Sequence, residues 1–173
     1  MSRRHIIALT GPAGCGKDTV GGYLVRHYGY EQMMFAGPLK AMLEVIGVDV
    51  VNRDTKELPH PVFGASPRRM MQTLGTEWMR DTICADGWLR LAAHAVQNSR
   101  SAGVVFTDCR FENEAQFVRA RGGRVWHIKR SGLDPVEAHK SEGGVSWQAD
   151  TDHIIYNDGT IPELFEQIDR RMK

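Results

Sequence analysis

An α/β fold, with a central, mostly parallel sheet of about five strands flanked by helices, is what this 173-residue sequence predicts. The first indication is an order of elements near the N-terminus. The apolar run His5-Ile6-Ile7-Ala8-Leu9-Thr10 reads as a short buried strand, and Thr19 to Tyr28 places Val20, Leu24 and Val25 on one helical face. Between them lies the glycine-rich bend Gly11-Pro12-Ala13-Gly14-Cys15-Gly16-Lys17-Asp18-Thr19. The second indication is Val104-Val105-Phe106-Thr107-Asp108, an apolar strand ending in an acid, at the sheet edge where α/β folds gather their ligands. The third is that short apolar runs and amphipathic stretches alternate along the rest of the chain.

The bend carries the first chemistry. Gly11, Gly16 and Lys17 satisfy G-x-x-x-x-G-K, the phosphate-binding P-loop pattern, in which backbone N–H groups converge on phosphate oxygens and the lysine reaches the terminal phosphates. Gly11, Ala13, Gly14, Cys15, Gly16, Lys17, Asp18 and Thr19 are therefore candidate triphosphate ligands. The residue after the lysine is usually Ser or Thr, whose hydroxyl binds Mg²⁺. Here it is Asp18, which suits either a metal site or the start of a helix.

Size and composition bound the remainder. The chain is long enough for one full core and short for two. A net charge of +1 argues against a nucleic-acid-binding surface, and 25% charged with 42% apolar residues is ordinary for a globular protein. Cys15, Cys84 and Cys109 are odd in number and widely spaced, which suggests neither a disulfide framework nor a zinc pair and fits a reducing compartment. Too few apolar residues follow Arg3 and Arg4 for a signal peptide or membrane span, so the expectation is a cytoplasmic protein.

Further along, Glu31 to Ala36 reads as a second short strand and Pro38 to Ile46 as a helix with proline in its first turn and Lys40 beside it. Lys40 is either a solvated charge or a phosphate ligand. Residues 47–67 form an irregular excursion of the kind that serves as a flap. Pro67 opens a helix in which Met70, Met71, Leu74 and Trp78 share a core-facing side, and the forks of Arg68 and Arg69 at its front suit a monoester phosphate. A helix from about Gly87, the Val104 strand, a helix ending at Gly122-Gly123 and a strand from Arg124 to Arg130 follow. Asp108 is positioned either to hold Mg²⁺ or to cap the following helix with Arg110 as partner. Residues 131–152 read as a short polar lid, which would exclude water from the site; His139 there is an ordinary surface residue or a catalytic one. A last strand, the turn Asn157-Asp158-Gly159 and a closing helix complete the chain.

Four segments carry a resemblance that spans nearly the whole sequence: Gly16-Lys17-Asp18-Thr19; Arg69 with Gln72-Thr73-Leu74-Gly75-Thr76-Glu77; Asp108-Cys109-Arg110-Phe111-Glu112-Asn113-Glu114; and His139-Lys140-Ser141-Glu142 followed by Asn157-Asp158-Gly159-Thr160. In these the chain resembles the deoxynucleoside monophosphate kinases of tailed bacteriophages and prophages, a branch of the P-loop kinases. The resemblance implies a single P-loop kinase domain over residues 1–173, three-layered, with a helical monophosphate-binding region at about 36–100 and the short lid. It implies transfer of the ATP γ-phosphoryl group, with Mg²⁺, to a 2′-deoxynucleoside 5′-monophosphate, in host cytoplasm if the gene is a phage's. It puts Lys17 and the loop amides on ATP, and Lys40, Arg69, Arg110 and Arg130, with Arg68 nearby, around the acceptor phosphate. Glu142 and Trp147 would position the deoxynucleotide, Asn157 and Asp158 would border adenine, and Asp18 and Asp108 would act on the metal. Partners are then small nucleotides, with no nucleic acid or membrane, and a homodimer is left open. Two rivals share the loop: a kinase of another phosphorylated metabolite, such as phosphomevalonate or dephospho-coenzyme A, and a nucleotide-binding module without transfer.

Overall fold

A computed structural model describes residues 5–52, 54–133 and 145–173. The chain divides into two compact units, Met1–Met34 with Asn98–Lys173, and Phe35–Gln97.

The first unit is built on a five-stranded sheet in the order β2-β3-β1-β4-β5, with β1 at His5–Thr10, β2 at Glu31–Met33, β3 at Gly103–Phe106, β4 at Arg124–Lys129 and β5 at Asp152–Tyr156. Every pairing is parallel, with Ile7 opposite Val105 on one side and opposite Arg124 on the other. A parallel sheet is covered on both faces, which is why its central strands are nearly continuous apolar runs. Ile7 and Leu9 on one side join Trp126, Ile128 and Ile155 in a core completed by Val20 and Leu24 of α1 (Lys17–Tyr28) and Leu164 and Ile168 of α6 (Ile161–Met172). On the other, Phe106 meets Phe117 of α5 (Glu112–Ala120) edge-on at 6.2 Å. The carboxylate of Asp169 ties α6 to α1 by accepting from Tyr23 at 2.9 Å and Tyr28 at 2.7 Å.

Asp152 is the polar centre of this unit. It is 2% exposed and accepts from Arg119 Nη2 at 2.6 Å, Arg119 Nε at 3.1 Å, His127 Nε2 at 3.0 Å and the Gln148 N–H at 3.0 Å. Burial by itself pushes this carboxyl up, but the donors from Arg119, His127 and Gln148 together outweigh it and hold the group below the usual carboxylate range. Arg119 also donates to Glu112 at 2.9 Å and to the Ser146 carbonyl at 2.7 Å, so α5 holds the strand that returns into β5.

The second unit contains α2 (Gly37–Val45), an irregular stretch, α3 (Pro67–Gln72), a π-helical segment (Thr73–Ile83) and α4 (Gly87–Asn98), whose last residue returns to the first unit. Leu43, Val48 and Val50 form its core with Met70, Met71 and Leu74. Trp78 departs from the sequence expectation that it shares that side, because it is 39% exposed. From Thr73 the hydrogen bonds run from i to i+5, and the core of this unit is closed by Met70, Met71 and Leu74 without Trp78. Among the described residues no helix is long and apolar enough to cross a membrane.

Because the Asp152 carboxyl is held low, its stabilising share is complete above the unfolded value of about 4 and is lost as pH falls through the lower folded value. Asp152→Asn, which removes the buried carboxylate from Arg119 and leaves it only Glu112, is expected to cost about 3 kcal/mol at pH 7. In urea denaturation the gap between variant and wild type should narrow as pH is lowered towards 3; a gap unchanged with pH would remove the charge from the account.

Candidate functional site

The bend after β1 is held open by contacts that leave no room for side chains. Gly11 adopts φ +141°, and a Cβ there would run into the Ile128 carbonyl oxygen of β4 and lie 2.9 Å from Cys15 Sγ. Gly16, at φ +106°, is the N-cap of α1, and a Cβ there would meet the Asn157 amide. The first helical bond of α1 runs from Val20 N–H to Gly16 C=O at 3.0 Å. The amides of Lys17, Asp18 and Thr19 thus precede the helical ladder, at the end of α1 where the dipole favours an anion. Lys17 Nζ donates to the carbonyls of Gly11 at 2.7 Å and Pro12 at 2.8 Å, folding across the bend it follows. Cys15 is fully buried in the core, so its thiol is a packing group.

Two side chains from the other loops at this sheet edge, Asn157 and Arg130, touch the bend, and a third, Asp158, ties those loops together. Asn157 Nδ2 donates to the Cys15 carbonyl at 2.9 Å, and the Asn157 N–H donates to Lys129 C=O at 2.7 Å. Asp158 Oδ1 accepts from the Ser131 N–H at 2.6 Å. Arg130 Nη1 lies 3.4 Å from the Gly14 carbonyl, so an exposed guanidinium sits against the bend. Asp18 is exposed in the first turn of α1; because Gly16 occupies the cap position, Asp18 is not the cap.

Asp108 lies two residues beyond β3 and is half-buried. The cap reading for it does not apply either, since α5 begins at Glu112 with Phe111 as N-cap. The acid that organises this turn is Glu114, the last residue of the Asp108–Glu114 segment, to which the sequence alone attaches no role. It is 3% exposed, and its Oε2 accepts from the N–H groups of Arg110 at 2.9 Å and Phe111 at 3.1 Å. Glu three residues into a helix is a capping signal, and it was available in the sequence. Arg110 itself is exposed, with its backbone fixed by that carboxylate. Beside it Cys109 is 1% exposed, and burial first, then the neighbouring carboxylates, push its thiol well up, which makes it inert.

Lys40, Arg68 and Arg69 belong to the second unit. Lys40 sits in the first turn of α2, half-buried. Arg68 Nη1 pairs with Glu57 at 2.9 Å and its N–H donates to Lys56 C=O at 3.0 Å, tying α3 to the irregular stretch. Arg69 is exposed, with its N–H donating to the Ser66 hydroxyl at 3.3 Å. Of the expected lid residues, Glu142 lies outside the described residues, as do His139, Lys140 and Ser141. Trp147 is 48% exposed and meets His127 edge-on with ring centres 5.4 Å apart.

Comparisons with known proteins agree with one another at the level of family. A family model described as deoxynucleotide monophosphate kinase matches residues 62–168. A putative deoxynucleotide monophosphate kinase of Acanthamoeba polyphaga mimivirus is 31% identical over 180 residues, covering 94% of this chain and 93% of that protein. The deoxynucleotide monophosphate kinase of Enterobacteria phage T4 is 32% identical over 111 residues, covering 62% of this chain and 46% of that protein. Among solved structures, a shikimate kinase from Aquifex aeolicus superposes with a TM-score of 0.56 at 14% identity, covering 96% of this chain and 95% of that one. A shikimate kinase from Bacteroides thetaiotaomicron superposes with a TM-score of 0.54 at 12% identity, covering 97% and 98%. At such identities the superpositions establish the fold alone: a P-loop kinase fold.

The two crowded glycines differ in what stands opposite them. Ile128 C=O belongs to a central strand and cannot yield, whereas the Asn157 amide is the end of a side chain. Gly11→Ala is therefore expected to cost about 3 kcal/mol and Gly16→Ala nearer 1 kcal/mol, from backbone strain and one lost hydrogen bond. Equal midpoints for the two variants in urea would contradict this geometry.

Proposed function

The chain belongs to the deoxynucleotide monophosphate kinase family, and from that premise we propose that it transfers the γ-phosphoryl group of ATP to a 2′-deoxynucleoside 5′-monophosphate. The observation that carries the proposal is the likeness, along nearly the whole chain, to a relative of that name, in a protein whose β1 and α1 enclose the phosphate-binding bend. In the reaction an oxygen of the acceptor's phosphate attacks the γ-phosphorus as the bond to the β,γ-bridging oxygen breaks, leaving a deoxynucleoside diphosphate and ADP. Such a transfer asks for in-line placement and for positive charge around the oxygens of the moving group. It asks for no strong general base, because the attacking oxygen is already anionic.

In this reading Lys17 exchanges its bonds to the Gly11 and Pro12 carbonyls for oxygens of the triphosphate, and the first amides of α1 hold the remainder. Ala13 and Gly14 lie along the same anion path. Arg130 and Arg110 supply charge at the transferred group, while Lys40 and Arg69 hold the acceptor phosphate. Arg68 has a weaker claim, because it is engaged with Glu57. Asn157 supports the bend, and with Asp158 would flank the adenine.

Mg²⁺ characteristically takes only one or two protein carboxylates together with phosphate oxygens and water. The donor chemistry fits: Asp18 in the first turn of α1 and Asp108 after β3 are two carboxylates of the kind such an ion takes. Bound there, the ion would neutralise charge on the phosphates.

Incubation with ATP and a panel of deoxynucleoside monophosphates, ribonucleoside monophosphates, phosphomevalonate and dephospho-coenzyme A tests the proposal. The expected result is diphosphate formed from at least one deoxynucleotide, and its loss by more than a hundredfold in Lys17→Ala with an unchanged melting temperature. Turnover of a metabolite with every deoxynucleotide untouched would transfer the assignment to a different kinase.

A further inference from the structure

β5 ends the order β2-β3-β1-β4-β5, so it is an edge strand among the described residues, with β4 beside it. Along such a strand alternate residues turn their N–H and C=O groups away from the sheet. Asn157, just past the strand, turns inward, since its N–H donates to Lys129 C=O at 2.7 Å. Tyr156 before it turns outward, and one side chain takes both its groups. The Tyr156 N–H donates to Gln167 Oε1 at 3.0 Å, and Gln167 Nε2 donates to Tyr156 C=O at 2.7 Å. A carboxamide carries an acceptor and a donor side by side, so Gln167 does here what a further strand would do.

The turn that follows is fastened again at its far end. Thr160, the N-cap of α6, donates its N–H to Glu163 Oε2 at 2.7 Å, and its hydroxyl donates to the same oxygen at 2.9 Å. Glu163 also crowds Gly159, where a Cβ would strike the carboxylate. Capping of this kind is common and by itself signifies only a helix start. Glu163 and Gln167, however, are four apart in α6 and so share one face, from which they grip the two ends of a single turn. Between those grips lies Asn157, whose amide donates to the Cys15 carbonyl at 2.9 Å and stands against Gly16. α6 thus sets how far this turn advances on the phosphate-binding bend.

We propose that Gln167 is a positioning residue for triphosphate binding: by holding both backbone groups of Tyr156 it fixes where Asn157 meets the bend, and with it the Cys15 carbonyl and the start of α1. Without that hold the end of β5 is free to shift, Asn157 leaves Cys15, and the ligand itself has to order the bend. Ordering of that kind is subtracted from affinity. The candidate acceptor ligands Lys40 and Arg69 stand in the other unit, so the effect belongs to the triphosphate and not to the monophosphate. The inference rests on the reading of the bend as the ATP site of a deoxynucleoside monophosphate kinase.

Calorimetric titration with ATP and Mg²⁺, and separately with inorganic tripolyphosphate, provides the test in wild type, Gln167→Ala, Asn157→Ala and the double variant. Gln167→Ala should weaken ATP binding about fivefold or more, the scale of one net hydrogen bond, and tripolyphosphate binding by a similar factor. In steady-state kinetics the ATP KM should rise while the deoxynucleotide KM stays within about twofold. Because Gln167 acts through Asn157, adding Gln167→Ala to Asn157→Ala should change ATP affinity by less than about twofold. Gln167→Met, which keeps the length of the side chain but neither hydrogen bond, should behave like Gln167→Ala, and it decides if Gln167→Ala does not fold. ATP affinity unchanged in the folded variants, however far their melting temperatures drop, makes Gln167 a structural residue only and overturns the inference. Losses that add in the double variant, or a loss for ATP with none for tripolyphosphate, overturn it too, and all three leave the kinase reading in place. A wild type that binds neither ligand overturns both.

Discussion

The bend between β1 and α1 exists because a strand carbonyl and a side-chain amide approach it more closely than a Cβ permits. Ile128 C=O presses on Gly11 and the Asn157 amide on Gly16, and both glycines sit at positive φ. This crowding settles the direction in which α1 starts, and with it which amides stand ahead of the helical ladder. It also explains why β4 and the turn after β5 have to be correctly placed before an anion site can form, since they supply the opposing surfaces. The sheet therefore acts on function through geometry. Its parallel pairing delivers the loops after β1, β3, β4 and β5 to one edge, and the candidate residues Lys17, Asp108, Arg130 and Asn157 are all found in or beside those loops.

Charge is managed differently in the interior and at this edge. Inside, Asp152 is surrounded by donors from three elements, which stabilise its ionised form and anchor the strand that returns into β5. At the edge Arg110 and Arg130 are exposed, the first with its backbone N–H fixed by Glu114 and the second with its guanidinium against the Gly14 carbonyl. Arg68, in the other unit, is paired with Glu57.

Much of this was legible in the sequence. Glycine spacing identified the bend, and apolar runs and helical periodicity marked each strand and most helices, because those signals are local. The sequence also marked Asp108 as lying at a strand end, though whether it capped the next helix depended on where α5 begins, and that is fixed by Glu114 reaching back to two amides. Trp78 is more exposed than its spacing from Met70 and Leu74 implies. The change of pitch at Thr73 was not legible either, because the Trp88 indole that helps hold it lies thirteen residues from its acceptor carbonyl. The Asp152 cluster was equally invisible, since Arg119, His127 and Gln148 converge only when α5, β4 and the return into β5 have packed.

The central claim concerns where one phosphoryl group goes. ATP labelled with ³²P in its γ-phosphate, incubated with the protein, magnesium and a deoxynucleoside monophosphate, measures it directly. Label recovered in the β-phosphate of the deoxynucleoside diphosphate, in proportion to ADP formed, is the predicted result. Label recovered only as inorganic phosphate, or retained in ATP whatever monophosphate is supplied, would contradict the account.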